Sequence, residues 1–388
     1  MASNRPVNIV FVGAGAVGCF YASRLHHPKE KVNVSLIARS NYPVLVRSGV
    51  RMLTHSFGDY TFVPAAVYPS VSAASPTTAD QSSSEGAQPP KEGWDYVIVT
   101  TKALPDRVDD AATIAPLVTP GKTCIVLIQN GVGVEAPYRS RFPSNPIVSA
   151  VTVVSAELVD PGTVRQNRWT RLYLGPYVNS ASYSDDAEGK SGASQITTEM
   201  GRKLDDAGSA CVTALTDWWT RLGSIKDVES HAGDELGLQT VRWHKLVINA
   251  AFNPSSVLSG GRNNAHMATD PELRRHLRGI MDEIFAAAPH VLGRPFPPDL
   301  AAPEKILASN ERNKGSKGPS MLLDWQAGRP LELEVIVGNP VRIARAKGVE
   351  MPRLQSVYAL LKSMQEARDQ AKANGQDRGK LLLTAETL

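Results

Sequence analysis

A chain of 388 residues, 42% hydrophobic and 21% charged, is long enough for two ordinary domains and has ordinary globular composition. Its net charge of +4 comes with no long Lys/Arg run, so nucleic-acid binding is not indicated; an acidic small substrate or a phosphate-bearing cofactor is compatible. The 3 cysteines (Cys19, Cys124, Cys211) are far apart, odd in number and without C-x-x-C spacing, which suggests neither a disulfide framework nor a metal site. No apolar run reaches the roughly 18 residues of a membrane span. The start, MASNRPVNIVFVG, reads as carrying neither a signal core nor an Arg-rich leader. The expectation is a cytoplasmic protein without a membrane partner.

In chain order, Val7 to Val12 (VNIVFV) is a short β-branched run and reads as a buried strand. Gly13 to Leu25 reads as a glycine turn opening a helix. Lys31 to Ala38 is a second strand and Tyr60 to Val67 a third. Tyr96 to Thr101 and Thr123 to Ile128 are two more buried strands, and Arg171 to Gly175 resumes after the Asp160-Pro161-Gly162 turn. Strands alternating with helices predict an α/β fold with a parallel sheet covered on both faces. Two polar stretches, Ser70 to Gly93 and Asn179 to Gly208, read as disordered insertions within this first, Rossmann-type domain, residues 1–232. From Gly233 helical patterns dominate: Leu236 to Ala251, Pro271 to Ala288, Pro319 to Gln326 and Leu331 to Lys347. A mostly α-helical C-terminal domain, residues 233–388, is expected, with a kink or restart at Pro340 and a fraying polar tail from about Glu366.

Gly13-Ala14-Gly15-Ala16-Val17-Gly18 is G-x-G-x-x-G directly after a strand and opening a helix, a context that makes a weak motif strong evidence for a dinucleotide. The first glycine permits the turn, the second admits the pyrophosphate, and the third lets helix and strand pack closely. The helix N-terminus adds free N–H groups and partial positive charge. At the end of the second strand stands Arg39, where an acidic residue would hold a ribose 2′-hydroxyl. Its guanidinium suits a 2′-phosphate, so NADPH is expected over NADH. The bland reading is a solvated surface charge.

Lys102, after Thr100-Thr101, and Asn130, in Gln129-Asn130-Gly131-Val132-Gly133, stand at two adjacent strand ends, where open α/β sheets bind ligands. Either alone reads equally as a surface lysine or a turn residue; together they point to a cleft. Lys245, Asn249 and Asn253 lie at i, i+4 and i+8 on one helix face beside apolar Trp243, Leu246, Val247 and Ala250. Two asparagines are poor helix formers, which suits a pocket wall better than a solvated face. A protonated Lys245 could donate a proton to a nascent alkoxide and favour its charge. Ser320 near a helix start is either a cap or a ligand of a substrate carboxylate or carbonyl. Glu332 and Glu334 open another helix, where acids suit the dipole or could meet a substrate hydroxyl and Lys245.

The glycine motif, TTKAL, QNGVG, RWHKLVINAAFNP and PSMLLDWQAGRPLELEVIVG occur in the order found in ketopantoate reductases, and the chain resembles that family over most of its length outside the insertions and tail. The resemblance implies a Rossmann domain, a helical domain and a substrate cleft between them. It implies that Lys102 and Asn130 are cleft residues near the nicotinamide, Lys102 also near the substrate, beside the cofactor contacts read above from residues 13–18 and Arg39. Lys245 resembles the family's general acid, Asn249, Asn253 and Ser320 its substrate-binding residues, and Glu332, rather than Glu334, its active-site glutamate. One departure is Lys317, where the family often has asparagine, and it bears on which acid fits. The expected activity is NADPH-dependent reduction of 2-dehydropantoate to (R)-pantoate in pantothenate synthesis. The alternatives are reduction of another branched 2-keto acid, such as 2-ketoisovalerate, or a non-catalytic NADPH-binding sensor. The sequence leaves open the oligomeric state, a homodimer included, and whether Lys102 or Lys245 delivers the proton.

Overall fold

The computed structural model describes residues 5–77, 87–178, 198–312 and 318–375. The N-terminal part runs β1 (Val7–Val12), α1 (Ala16–Ser23), β2 (Val32–Ile37), α2 (Tyr42–Ser48), β3 (Val50–Thr54), β4 (Tyr60–Phe62), β5 (Val67–Tyr68) and β6 (Tyr96–Val99). It continues with α3 (Asp110–Ile114), β7 (Cys124–Leu127), α4 (Ala136–Arg141), β8 (Ile147–Asp160), β9 (Thr163–Pro176), α5 (Thr198–Asp217) and β10 (Val228–Ser230). The strands form one sheet in the order β4-β3-β9-β8-β7-β6-β1-β2-β5, with β10 beside β9. From β5 to β8 the pairings are all parallel. Strands β6 and β7 are apolar along their whole length and β1 is apolar from Ile9 onward, so they are stable only when covered on both faces. One face is packed by α1 and α5, with Phe20, Tyr21, Leu215 and Trp219. The other carries Trp94, Ile114, Leu117 and Tyr138. Strand order reverses across β1, which pairs with β2 on one side and β6 on the other. That reversal opens a crevice at the strands' carboxyl ends.

The sheet differs from the sequence reading in several places. It is mixed, because β8 and β9 form a long antiparallel hairpin whose register shifts at bulges near Ser155. Only the inner half of β8 is well buried, so its outer half lacks the apolar run that marks a strand. The stretch expected as one strand, Tyr60 to Val67, is two strands at opposite edges of the sheet, β4 and β5. Pro64 between them has no N–H to give a ladder. The first polar stretch is anchored: Ala74 and Ser75 are buried, and the Trp94 indole N–H donates to the Ala74 carbonyl at 2.9 Å. Its residues 78–86 lie outside the described residues. The second was expected as an insertion to Gly208, yet residues 198–208 form the first half of α5, whose Leu204 and Val212 are buried; residues 179–197 lie outside the description.

The C-terminal part is helical: α6 (Glu235–Leu258), α7 (Asn264–Thr269), α8 (Pro271–Leu292), α9 (Pro303–Glu311), α10 (Ser320–Gln326), a π-helical turn Glu334–Gly338, α11 (Asn339–Ala346) and α12 (Pro352–Ala373). The interruption expected at Pro340 takes the form of that π-turn, with Pro340 in the first turn of α11. Helix α6 is the hub, burying Trp243, Leu246, Val247, Ala250 and Phe252. Truncating one such side chain to Ala costs about 2–5 kcal/mol. Against that, two asparagines cost at most about 0.7 kcal/mol each in propensity, so packing decides and α6 runs on past Pro254. The fraying expected from Glu366 is overturned: α12 extends to Ala373 and buries Gln365, Arg368 and Ala371. Among the described residues no helix is long and apolar enough to cross a membrane.

Candidate active site

The glycine motif lies at the crevice, between the end of β1 and the start of α1. Gly13 has φ +113°, a conformation that side-chained residues rarely adopt, and a Cβ there would press on Thr100 Oγ1 and the Thr101 amide at 3.0 Å. Thr100, just past β6, donates its hydroxyl to the Gly13 carbonyl at 2.7 Å and so joins the two strand ends. A Cβ on Gly18 would collide with the Gly13 carbonyl, whereas a Cβ on Gly15 would meet nothing within 4 Å. Close packing at Gly18 and open space at Gly15 are what a pyrophosphate over the helix N-terminus needs. Ala14 is buried, its carbonyl accepting from Asn41 Nδ2 at 2.8 Å; Ala16 and Val17 are half-buried in the first turn.

Arg39 is exposed just beyond β2. Along the chain no acidic residue adjoins it. In space Asp110 is within reach: burial raises its carboxyl, a Gln129 hydrogen bond lowers it, and the Arg39 charge lowers it further.

A second group of residues stands beside this cradle. Lys245 Nζ donates to Asn130 Oδ1 at 2.8 Å, tying α6 to the loop after β7. Glu332 is 7% exposed and accepts from the Ala103 amide at 3.3 Å. Lys102 pairs with Asp324 of α10, which also pairs with Arg329 at 3.0 Å. Desolvation pushes the Lys245 ammonium down to about 8, aided by the Arg242 charge and opposed by Glu332. Burial raises the Glu332 carboxyl, opposed by Lys102, the Ala103 N–H and Asn130. The site therefore holds a lysine poised to release a proton and a carboxyl biased toward holding one.

Asn249 lines the same small cavity as Asn130, Arg242 and Lys245. Asn253 is buried one turn further along α6, where its carbonyl accepts from Ser256 Oγ at 2.7 Å. Ser320 is exposed at the start of α10, one turn before Asp324 and on the same helix face. The two candidate glutamates separate clearly: Glu334 is engaged by Tyr358 at 2.7 Å and Arg342 at 2.6 Å, while Glu332 faces the lysine cluster. Lys317 lies outside the described residues. Sequence reasoning passed over Asp324, which sits in a quoted motif, and Arg242, whose guanidinium is 3% exposed beside Glu135 at 3.0 Å. Their signal was a charged residue inside an apolar helical pattern.

Comparison with known proteins gives a consistent result. The family model described as ketopantoate reductase PanE/ApbA matches residues 9–179, and the one described as ketopantoate reductase PanE/ApbA C terminal matches residues 237–365. The 2-dehydropantoate 2-reductase of Nostoc sp. is 26% identical over 351 residues, 90% of this chain and 93% of that protein. The meiotically up-regulated gene 72 protein of Schizosaccharomyces pombe is 28% identical over 91% of this chain, which spans only 56% of that relative's length. The crystal structure of 2-dehydropantoate 2-reductase from Methylococcus capsulatus superposes with a TM-score of 0.70 at 31% identity, over 93% of this chain and 98% of that one.

Proposed function

This chain is an oxidoreductase of the ketopantoate reductase family, and we propose that it uses NADPH to reduce a branched 2-keto acid to the 2-hydroxy acid, with 2-dehydropantoate to (R)-pantoate as the first candidate. The observation that carries this reading is the Lys245–Asn130 hydrogen bond beside buried Glu332, next to the glycine cradle. When bound, NADPH supplies the hydride that adds to the keto carbon. Residues Gly13 to Gly18 hold the pyrophosphate through backbone N–H groups, and Arg39 takes the 2′-phosphate through its planar fork. Asn130 and Lys102 border the nicotinamide end, Lys102 beside the substrate as well. Asn249, Asn253 and Ser320 orient the keto acid.

Lys245 gives its proton to the carbonyl oxygen as the C–H bond forms, and its charge stabilises the oxygen before transfer. Glu332 receives the hydroxyl of the substrate and opposes premature loss of the Lys245 proton. The test is NADPH consumption by purified protein with 2-dehydropantoate and with 2-ketoisovalerate. Faster turnover of 2-dehydropantoate upholds the reading. Faster turnover of 2-ketoisovalerate keeps the mechanism and replaces the substrate. NADPH binding without turnover of either overturns catalysis in favour of a sensor.

A further inference from the structure

Arg242 stands one turn before Lys245 on α6, and its guanidinium, at the edge of the same small cavity, reaches the loop after β7 and strand β8. Its Nη1 donates to the carbonyls of Gln129 at 2.9 Å and Gly131 at 3.0 Å, the two residues that flank Asn130. Its Nη2 donates to Ser149 Oγ at 2.6 Å and the Ala150 carbonyl at 3.0 Å on β8. Its Nε lies 3.0 Å from Glu135 Oε1 in an ion pair without hydrogen-bond geometry, and that oxygen accepts from Ser149 at 2.6 Å and Gln239 at 3.1 Å. Arg242 and Glu135 are 3% and 2% exposed. A buried ion pair of this kind is weak evidence for net stability, because desolvation offsets the attraction. What it supplies is geometry: a planar fork holds the loop carbonyls on Nη1 at a fixed separation from β8 on Nη2.

The loop it grips is held from its other side as well. The Val132 amide donates to the Val335 carbonyl at 2.9 Å, and Asn339 Nδ2 donates to the Val132 carbonyl at 2.9 Å. Asn130 therefore projects from a peptide pinned between α6 and the π-turn that follows Glu332.

We propose that Arg242 is a positioning residue, which clamps the peptides on either side of Asn130 so that the Asn130 oxygen holds Lys245 Nζ in line with the substrate carbonyl. The proposal rests on the general-acid reading of Lys245 given above. A second effect follows from the same placement. Arg242 puts a fixed positive charge near the ammonium and Glu332 a negative one; Lys102 and Asp324 act in turn on Glu332, and Glu135 pairs with Arg242.

Two variants test this. Arg242→Lys keeps the charge and loses the fork: kcat should fall about 10-fold, in line with the sensitivity of catalysis to small misplacements, with the KM for NADPH and the alkaline limb of kcat/KM unmoved. The paired Arg242→Met/Glu135→Gln variant removes both charges without stranding either. It should lower kcat at least as far and move the alkaline limb to higher pH. Folded variants with wild-type kcat and an unmoved limb would overturn the proposal. If circular dichroism shows the paired variant unfolded, Arg242→Lys alone decides: lost kcat with retained NADPH affinity supports the clamp, and undiminished kcat refutes it. A wild-type enzyme with no alkaline limb fails the general-acid reading instead, which separates the two ideas.

Discussion

The lysine on α6 offers the sharpest quantitative test. Lys245 loses its proton near pH 8 because desolvation and the Arg242 charge disfavour the ammonium more than Glu332 favours it. Reduction needs the ammonium, so activity is present below that pH and falls as pH rises through it. A group titrating at about 8 is roughly nine-tenths protonated at pH 7 and one-tenth at pH 9, so kcat/KM should drop about 10-fold between them. An ordinary exposed lysine, titrating near ~10.4, would leave the profile flat over the same range. The assay is initial-rate NADPH consumption with the preferred keto acid from pH 6 to pH 10, in buffers of constant ionic strength. Lys245→Met should lose on the order of 10² to 10⁴ in kcat and abolish the limb. Lys102→Met should weaken substrate or cofactor binding and keep it. A flat wild-type profile to pH 9, or a limb that survives in Lys245→Met and vanishes in Lys102→Met, would refute the assignment of the proton to Lys245.

Other expectations follow from the cofactor cradle and the helical part. Arg39→Ala should raise the KM for NADPH by roughly 10-fold or more, the worth of a lost bidentate phosphate contact, and leave the NADH value nearly unchanged; equal effects would sink the 2′-phosphate role. Gly15→Ala, facing open space, should melt like wild type and yet bind NADPH more weakly, whereas Gly18→Ala should lower the melting temperature as well, because its Cβ would meet the Gly13 carbonyl. Equal melting of the two in a thermal-shift assay would contradict the packing argument. Arg368→Ala removes donors to the Trp325 and Arg329 carbonyls at 3.2 and 2.8 Å and a guanidinium stacked 4.0 Å over Trp325. It should cost about 2 kcal/mol of stability and lower kcat without changing NADPH affinity; unchanged kcat in the folded variant would separate α12 from the site.

What could be read from the residues and what could not divides along physical lines. Strand β1 was legible to the residue, because a β-branched run ending in four consecutive apolar positions, Ile9 to Val12, marks a buried strand. The glycine turn was legible because each glycine has its own steric reason. The polar row Lys245, Asn249, Asn253 stood out against its apolar helix, although only Lys245 and Asn249 line the small cavity. The outer half of β8 and β9 was hidden because a half-exposed hairpin shows no buried run. The clamp by Arg242 was invisible for a different reason. Nothing in RWHKL says which of its cations is buried; that depends on α6 packing against β8 and the loop after β7, a contact between segments distant in sequence. The pairing of Lys102 with Asp324 has the same character.

The packing of α12 has one more consequence. Gln365 Oε1 accepts from the Leu331 amide at 2.8 Å, and Arg368 holds the Trp325 and Arg329 carbonyls, so the segment that delivers Glu332 is moored to a helix made after it. The glycine cradle, by contrast, is complete by the end of α1 and β6. The cradle's own contacts thus involve no residue of α12, whereas the acid–base half is complete only with α12 docked. A lesion in this late helix would therefore look, in an enzyme assay, like damage to the active site itself.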